Sequence, residues 1–186
     1  MADHAVLSKK ACASIDVGAY NRYAMAGSAV DLDNGSVFRL DTQNTAGTSG
    51  YSEVWDVTAP SLSGSTLNGL WMAGTEAVNL LADGTKQYRG LSDDPRSFYN
   101  LGAKPFDAFK PQPGDVIELS ADAFTGAIGG NTFANASDAS YDLVWGTSQT
   151  TSALSFQLLA TTYFSIGSGA IDTQRVTAYK LVCLAN

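Results

Sequence analysis

Histidine is the usual partner of a catalytic serine or cysteine, which needs a base within hydrogen-bond reach. This chain has one histidine, His4, and no Gly-x-Ser-x-Gly elbow, so Ser-His-Asp and Cys-His chemistry is close to excluded. The sequence contains no His-Glu-x-x-His, no Cys-x-x-Cys and no Gly-x-x-x-x-Gly-Lys, the spacings that hold zinc or cradle phosphate. Asp31, Asp33, Asn34 and Gly35 look like the start of a calcium loop, but the spacing is wrong and the closing glutamate is missing. Gly167-Ser168-Gly169 follows an apolar strand with no helix after it to supply a positive N-terminus, and reads as a turn. No metal and no cofactor is expected.

Acid pairs and aromatic platforms are harder to dismiss. A glycoside hydrolase needs two carboxyl groups across a cleft. The chain has 18 acids, Glu53, Asp56, Glu76, Asp93, Asp94 and Glu118 among them, so any acidic β protein meets the requirement on paper. The ordinary reading is solvated acids on strand edges and loops. Trp55, Trp71 and Trp145 could stack sugars, yet alternation places Trp55 and Trp145 in the core. Asn135-Ala136-Ser137 matches a glycosylation sequon and marks a surface loop. Cys12 and Cys183 sit at opposite ends; two free buried thiols are the common intracellular case, and a disulfide joining the terminal strands is the alternative. The expectation is a protein that is not an enzyme.

The elements that carry these residues read as strands. Val30 to Asp33, then Asn34-Gly35, then Ser36 to Leu40 alternates about a pair that tolerates positive φ, which predicts a type I′ hairpin. Ala77 to Tyr88, centred on Asp83-Gly84, predicts a second. Further strands are expected at 53–58, 70–72, 116–120, 141–145, 154–158, 163–166 and 175–184, the last long or central. Helical periodicity is weak, since residues 65–81 are rich in Gly and Asn, and residues 93–110 offer one short turn near Asp94-Pro95. Two stretches break the rhythm. Tyr88 to Pro113 combines four prolines with Phe98, Tyr99, Phe106 and Phe109 and reads as an ordered loop. Gly126 to Ser140 reads as an exposed mobile loop. Many short strands near ten-residue spacing predict an all-β fold, an antiparallel sandwich or barrel with long loops. Residues 1–13 are expected to form an N-terminal arm and residues 14–186 a single β domain.

Composition narrows the partners. At 186 residues the chain is long enough to bury a core without staples. Charged residues make up 16%, well under the usual quarter, and the net charge is −7, which disfavours nucleic acid and anionic membrane as partners. No apolar run approaches a membrane span and no secretion signal is visible, so a protein made soluble in the cytoplasm is expected.

Several segments resemble a family of small virion structural proteins of tailed bacteriophages. They are Ala5-Val6-Leu7-Ser8-Lys9-Lys10, Ala19-Tyr20-Asn21, Gly69-Leu70-Trp71-Met72-Ala73, and Tyr88-Arg89-Gly90-Leu91 with Asp94-Pro95-Arg96. Phe106-Asp107-Ala108-Phe109-Lys110-Pro111, Gly114-Asp115-Val116-Ile117 and Gln174 to Lys180 complete the pattern. The resemblance covers most of the chain and rests on overall pattern, with no catalytic signature. It implies a capsid auxiliary, or decoration, protein. Such a protein binds the outside of an assembled shell, often as a trimer, with the major capsid protein and itself as partners and the virion exterior as its location. The candidate contacts are His4, Leu7, Lys9 and Lys10 in the arm, which would add a strand to a neighbour or lie on the shell, and Phe98, Tyr99, Phe106 and Phe109 in the aromatic loop. A frayed terminus and a loop packed on its own core are the bland counterparts. Alternatives of other kinds are a tail-tube or other virion component, a carbohydrate-binding module using Trp or Tyr residues such as Tyr51 and Tyr99, and a carboxylate-pair hydrolase.

Overall fold

The computed structural model describes residues 4–44, 53–61, 69–75, 95–150, 153–166 and 174–186. The second predicted hairpin, Tyr51, the Gly167-Ser168-Gly169 turn, and Glu76, Asp93 and Asp94 lie outside those residues. The described chain is almost entirely β, as its short alternating segments require, and its few helical turns are short 3₁₀ pieces.

Two sheets divide the strands. The first has seven strands in the order β1 (Leu7–Ala11), β7 (Val116–Ser120), β12 (Gln174–Ala185), β11 (Ser155–Ile166), β9 (Phe133–Ala136), β10 (Leu143–Gly146) and β8 (Phe124–Thr125). The second is a closed barrel of β2 (Asn21–Met25), β4 (Val54–Thr58), β3 (Val37–Asn44), β5 (Trp71–Ala73) and β6 (Pro105–Phe109). Pairing is antiparallel throughout except for β2 with β4 and β8 with β10. Strand β12 is central, as its length and alternation predict. It turns Tyr179, Leu181 and Cys183 into the core and pairs β11 on one side and β7 on the other.

Five strands make a narrow barrel, and the side chains filling it are correspondingly small. Ala24, Ala73 and Ala108 leave room for only two large rings, Phe38 and Phe106, which meet edge to face at 5.6 Å. A larger core lies between barrel and sheet. Val37, Leu70, Met72 and Phe109 come from the barrel side, and Ile117, Leu119, Phe156 and Leu181 from the sheet. At its far end Phe124 stacks on Trp145 at 4.6 Å, and Tyr179 meets both rings edge-on.

The Asn34-Gly35 pair makes a turn but no hairpin. Ser36 N donates to Asp33 O at 3.1 Å, and only Gly35 takes positive φ (+93°), where a type I′ turn needs it at both central residues. Leu32 bridges to Asn100, and β3 finds its partners in β4 and β5. Asn34 is buried and braces three segments. Its amide donates to Thr75 O and accepts from Thr75 N, while Asn100 Nδ2 reaches both Leu32 O and Asn34 Oδ1.

Three further expectations change. Residues 7–11, read as an arm reaching for a neighbour, form edge strand β1 of the chain's own sheet, with Leu7 opposite Leu119 and Ser8 opposite Glu118. The unpaired edge of β7 supplies the hydrogen bonds, and burial of Ala5 and Cys12 on either side holds the strand down. The aromatic stretch contains β6, whose Pro105 sits at the first strand position, where a missing N–H costs nothing. The stretch 126–140, read as a mobile loop, contains β9, with Ala134 and Ala136 buried.

Candidate functional site

Two features stand out on this scaffold, an open barrel mouth and a projecting ribbon. The mouth lies where β2 and β4 begin and β3 ends, and opens as a cleft of about 700 Å³. Trp55 and Tyr23 supply its aromatic surface; Tyr23 is 60% exposed and Trp55 half-buried. Glu53, Asp107 and Gln43 supply carboxylates and an amide, and Lys9 and Arg22 the cations. Antiparallel register sets Tyr23 directly opposite Asp107, and Ala24, beside Tyr23, pairs with Trp55.

Among the described residues Arg22 is tied to backbone carbonyls, whereas Lys9 has a ring contact and no hydrogen bond. Arg22 Nη1 donates to Gly18 O at 3.0 Å and to Asn21 O at 2.7 Å, and its guanidinium lies 5.8 Å from the Trp71 ring. Lys9 Nζ lies 5.3 Å over the Phe109 ring. Among the described residues no ion pair or hydrogen bond occupies the carboxylates of Glu53 and Asp107 or the amide of Gln43. Glu53 adopts positive φ (+69°), a conformation that costs a side-chain-bearing residue about 1 kcal/mol or more and that clusters at functional sites.

The ribbon is the outer half of the β11–β12 hairpin. These strands pair along their full length, but β11 meets β9 only at Ser155 to Gln157, and β12 meets β7 only over Ala178 to Val182. Beyond those points the two strands form their ladder only with each other among the described residues; Leu158 N donates to Thr132 O at 2.8 Å, and Arg96 Nη2 donates to Gln174 Oε1 at 3.1 Å at the start of β12. Leu159 (52% exposed) and Tyr163 (56% exposed) stand on the β11 side, with the Arg175 guanidinium 5.7 Å from the Tyr163 ring.

The eight residues proposed as contacts do not form one surface. His4 Nδ1 lies 2.7 Å from Asp33 Oδ1, and the His4 ring packs on Tyr99 at 4.5 Å, so both are tied into the fold. Leu7 is half-buried against the larger core, and Phe98, next to Tyr99 in sequence, is half-buried. Lys9 and Lys10 are exposed on β1, Lys10 paired with Glu118 at 3.0 Å. Phe106 and Phe109 are 4% and 1% exposed; they are core residues and present nothing to a partner. They lie on opposite faces of β6, Phe106 inside the barrel and Phe109 in the core facing the sheet, a pattern hidden in the sequence by the prolines around it. Tyr23 and the ribbon carried no such signal, because an exposed aromatic on a short strand looks the same as a buried one.

The tryptophans separate. Trp145 is core, as expected, whereas Trp55 and Trp71 are half-buried. Both thiols are free and buried. Burial, with the Asp115 carboxylate adding to it, pushes the Cys12 thiol up to about 11 and the Cys183 thiol to about 12, so neither is a nucleophile near neutral pH. Burial also raises the Asp142 carboxyl, which lies outside the mouth. Among the described residues no group of three or more His, Cys, Asp or Glu could hold a metal ion, and no helix is long and apolar enough to cross a membrane. No family model, curated protein or solved structure matches the chain.

Proposed function

We propose that the chain is a structural virion protein that binds the outer surface of an assembled phage capsid and stabilises it. The sequence resemblance suggests this role, and the ribbon is the observation that supports it best. A two-stranded β ribbon is marginally stable alone in water, so one that extends beyond its sheet gains from a surface to lie on. Leu159 and Tyr163 give it an apolar contact strip, and the β11 edge offers unpaired backbone groups to a neighbouring coat subunit. As a homo-trimer, each copy would add weak contacts that sum through avidity, by a factor of about 100 or more for linked sites.

Light scattering of the free protein, followed by pelleting with emptied phage shells, tests this. The expected result is a stable oligomer that co-pellets in fixed ratio to coat protein. Leu159→Ser with Tyr163→Ser should weaken pelleting about tenfold or more while leaving the thermal midpoint nearly unchanged, since both side chains are exposed. A protein that ignores shells and grows into rings or tubes would instead be a tail component. Pelleting unaffected by the double substitution would remove the ribbon from the contact.

A further inference from the structure

We propose that a groove beside the end of β1 binds a primary ammonium group carried on an apolar chain, the chemistry of a lysine side chain. The groove lies between the 3₁₀ turns that follow β1 and the turn that leads into β7. It measures about 490 Å³, in the range of small-ligand sites, and shares no lining residue with the barrel mouth. Val17, Tyr20 and Pro113 give it an apolar rim, and Val17 is 44% exposed. Ser14 and Asp115, 1% and 2% exposed, make its floor.

The floor is chemically incomplete. The Asp115 carboxylate accepts from Gln112 N at 2.8 Å and, at a longer 3.4 Å, from Ser14 N. Among the described residues no lysine, arginine or histidine pairs with it. After burial itself, its negative charge is the next force opposing ionisation of the buried Cys12 and Cys183 thiols. Buried carboxylates are ordinarily paired with a cation. The Ser14 hydroxyl is buried too and has no hydrogen-bond partner, a rare state for a buried polar group. A positively charged donor satisfies both.

Charge and donor number select the ligand. An anion is repelled by Asp115, and a neutral ligand leaves its charge unpaired. Among the described residues no group of three or more His, Cys, Asp or Glu gathers to hold a metal ion, so an organic cation fits better. A guanidinium brings five N–H donors in a flat fork, an ammonium three in a compact head. The floor offers the remaining lone pairs of one carboxylate and one hydroxyl, which match the ammonium. The methylenes behind it lie along Val17, Tyr20 and Pro113, as lysine stems lie on apolar surface while the head stays with polar groups.

Titration of the intact chain with n-butylammonium and with an acetyl-lysine amide whose side chain is free, followed by backbone-amide NMR, tests this. Saturable binding is expected, with the largest shifts at the amides of Ser14 and Gln112, the two that donate to Asp115. Tighter binding of the lysine amide marks a protein lysine as the source, and tighter binding of n-butylammonium a small free amine; either supports the assignment. Ser14→Ala should weaken binding about threefold with no loss of stability, because the hydroxyl it removes has no partner in the free protein. Asp115→Asn should weaken it about tenfold or more, and the Ser14 variant keeps the test valid if that chain fails to fold. Glu53→Gln with Asp107→Asn, in the mouth, should leave binding unchanged. The proposal is overturned by the absence of saturable binding, which would leave the floor to water alone. It is equally overturned by tighter binding of n-butylguanidinium or n-butanol, by binding undiminished in Ser14→Ala, or by binding lost with the mouth carboxylates.

Discussion

Asn34 shows how a single residue can be half legible. Its pairing with Gly35 marks a turn, and a turn is present, with positive φ at the glycine alone. Its larger role is invisible locally, because its partners are Thr75 and Asn100, 41 and 66 residues away. The side chain is 4% exposed and joins the Leu32 bridge, the end of β5 and the Asn100 strand edge into one buried network, which Thr75 Oγ1 closes by donating to Asn100 Oδ1 at 2.7 Å. Replacing it with alanine removes two hydrogen bonds to the half-buried Thr75 backbone and the one that Asn34 Oδ1 accepts from Asn100 Nδ2. Each buried group left without its partner costs about 1–3 kcal/mol. Urea denaturation of Asn34→Ala should therefore show a stability loss of roughly 2–4 kcal/mol with an unchanged m-value. A loss under about 0.5 kcal/mol, the size of an ordinary surface change, would mean that the network is solvated and carries little.

At the scale of elements, legibility followed burial pattern. Strand β7 matches its expected bounds, 116–120, and β12 differs from its expectation by one residue at each end, because both alternate cleanly between core and outside. Residues 154–158 lead through Thr161-Thr162 into 163–166, and the two runs form one strand, β11, in which Ala160-Thr161-Thr162 pairs with β12 and Leu159 sits at a register shift. Strands β6 and β9 lay inside stretches whose prolines, glycines and small residues mask a period of two. Strand β1 was hidden for another reason. Its Lys9 and Lys10 are exposed, as edge-strand lysines that discourage further pairing often are, so it looks like a free arm. Its anchors are long-range: Ala5 N donates to Asp33 Oδ2 at 2.8 Å, Val6 N to Ser120 Oγ at 2.9 Å, and the β1 ladder runs along β7. Deleting residues 1–11 should lower the thermal midpoint by several degrees and speed hydrogen exchange at β7 amides, which would become a bare edge. An arm that reaches only for a partner would leave both unchanged in the isolated protein.

For the whole molecule, the all-β class was readable from strand spacing, whereas its division into a sheet and a closed barrel was not. Closure depends on which strands meet, and the parallel β2–β4 contact joins segments separated by β3 in the chain. The two sheets nevertheless share packing, because the larger core is built from both. Phe109 belongs to barrel strand β6 yet sits in the cluster with Ile117, Leu119 and Phe156, and Met72 of β5 does the same. Barrel and sheet should therefore unfold together. The tryptophans make this measurable, since Trp55 and Trp71 report on barrel strands and Trp145 on the sheet. In variants keeping one tryptophan each, the urea transitions should coincide, the signature of two-state unfolding. Phe109→Ala should shift the barrel and sheet reporters by the same amount, about 3–5 kcal/mol for truncating a buried aromatic. Barrel and sheet transitions that separate, or a Phe109→Ala loss confined to the barrel reporters, would show two units in contact, each stable without the other.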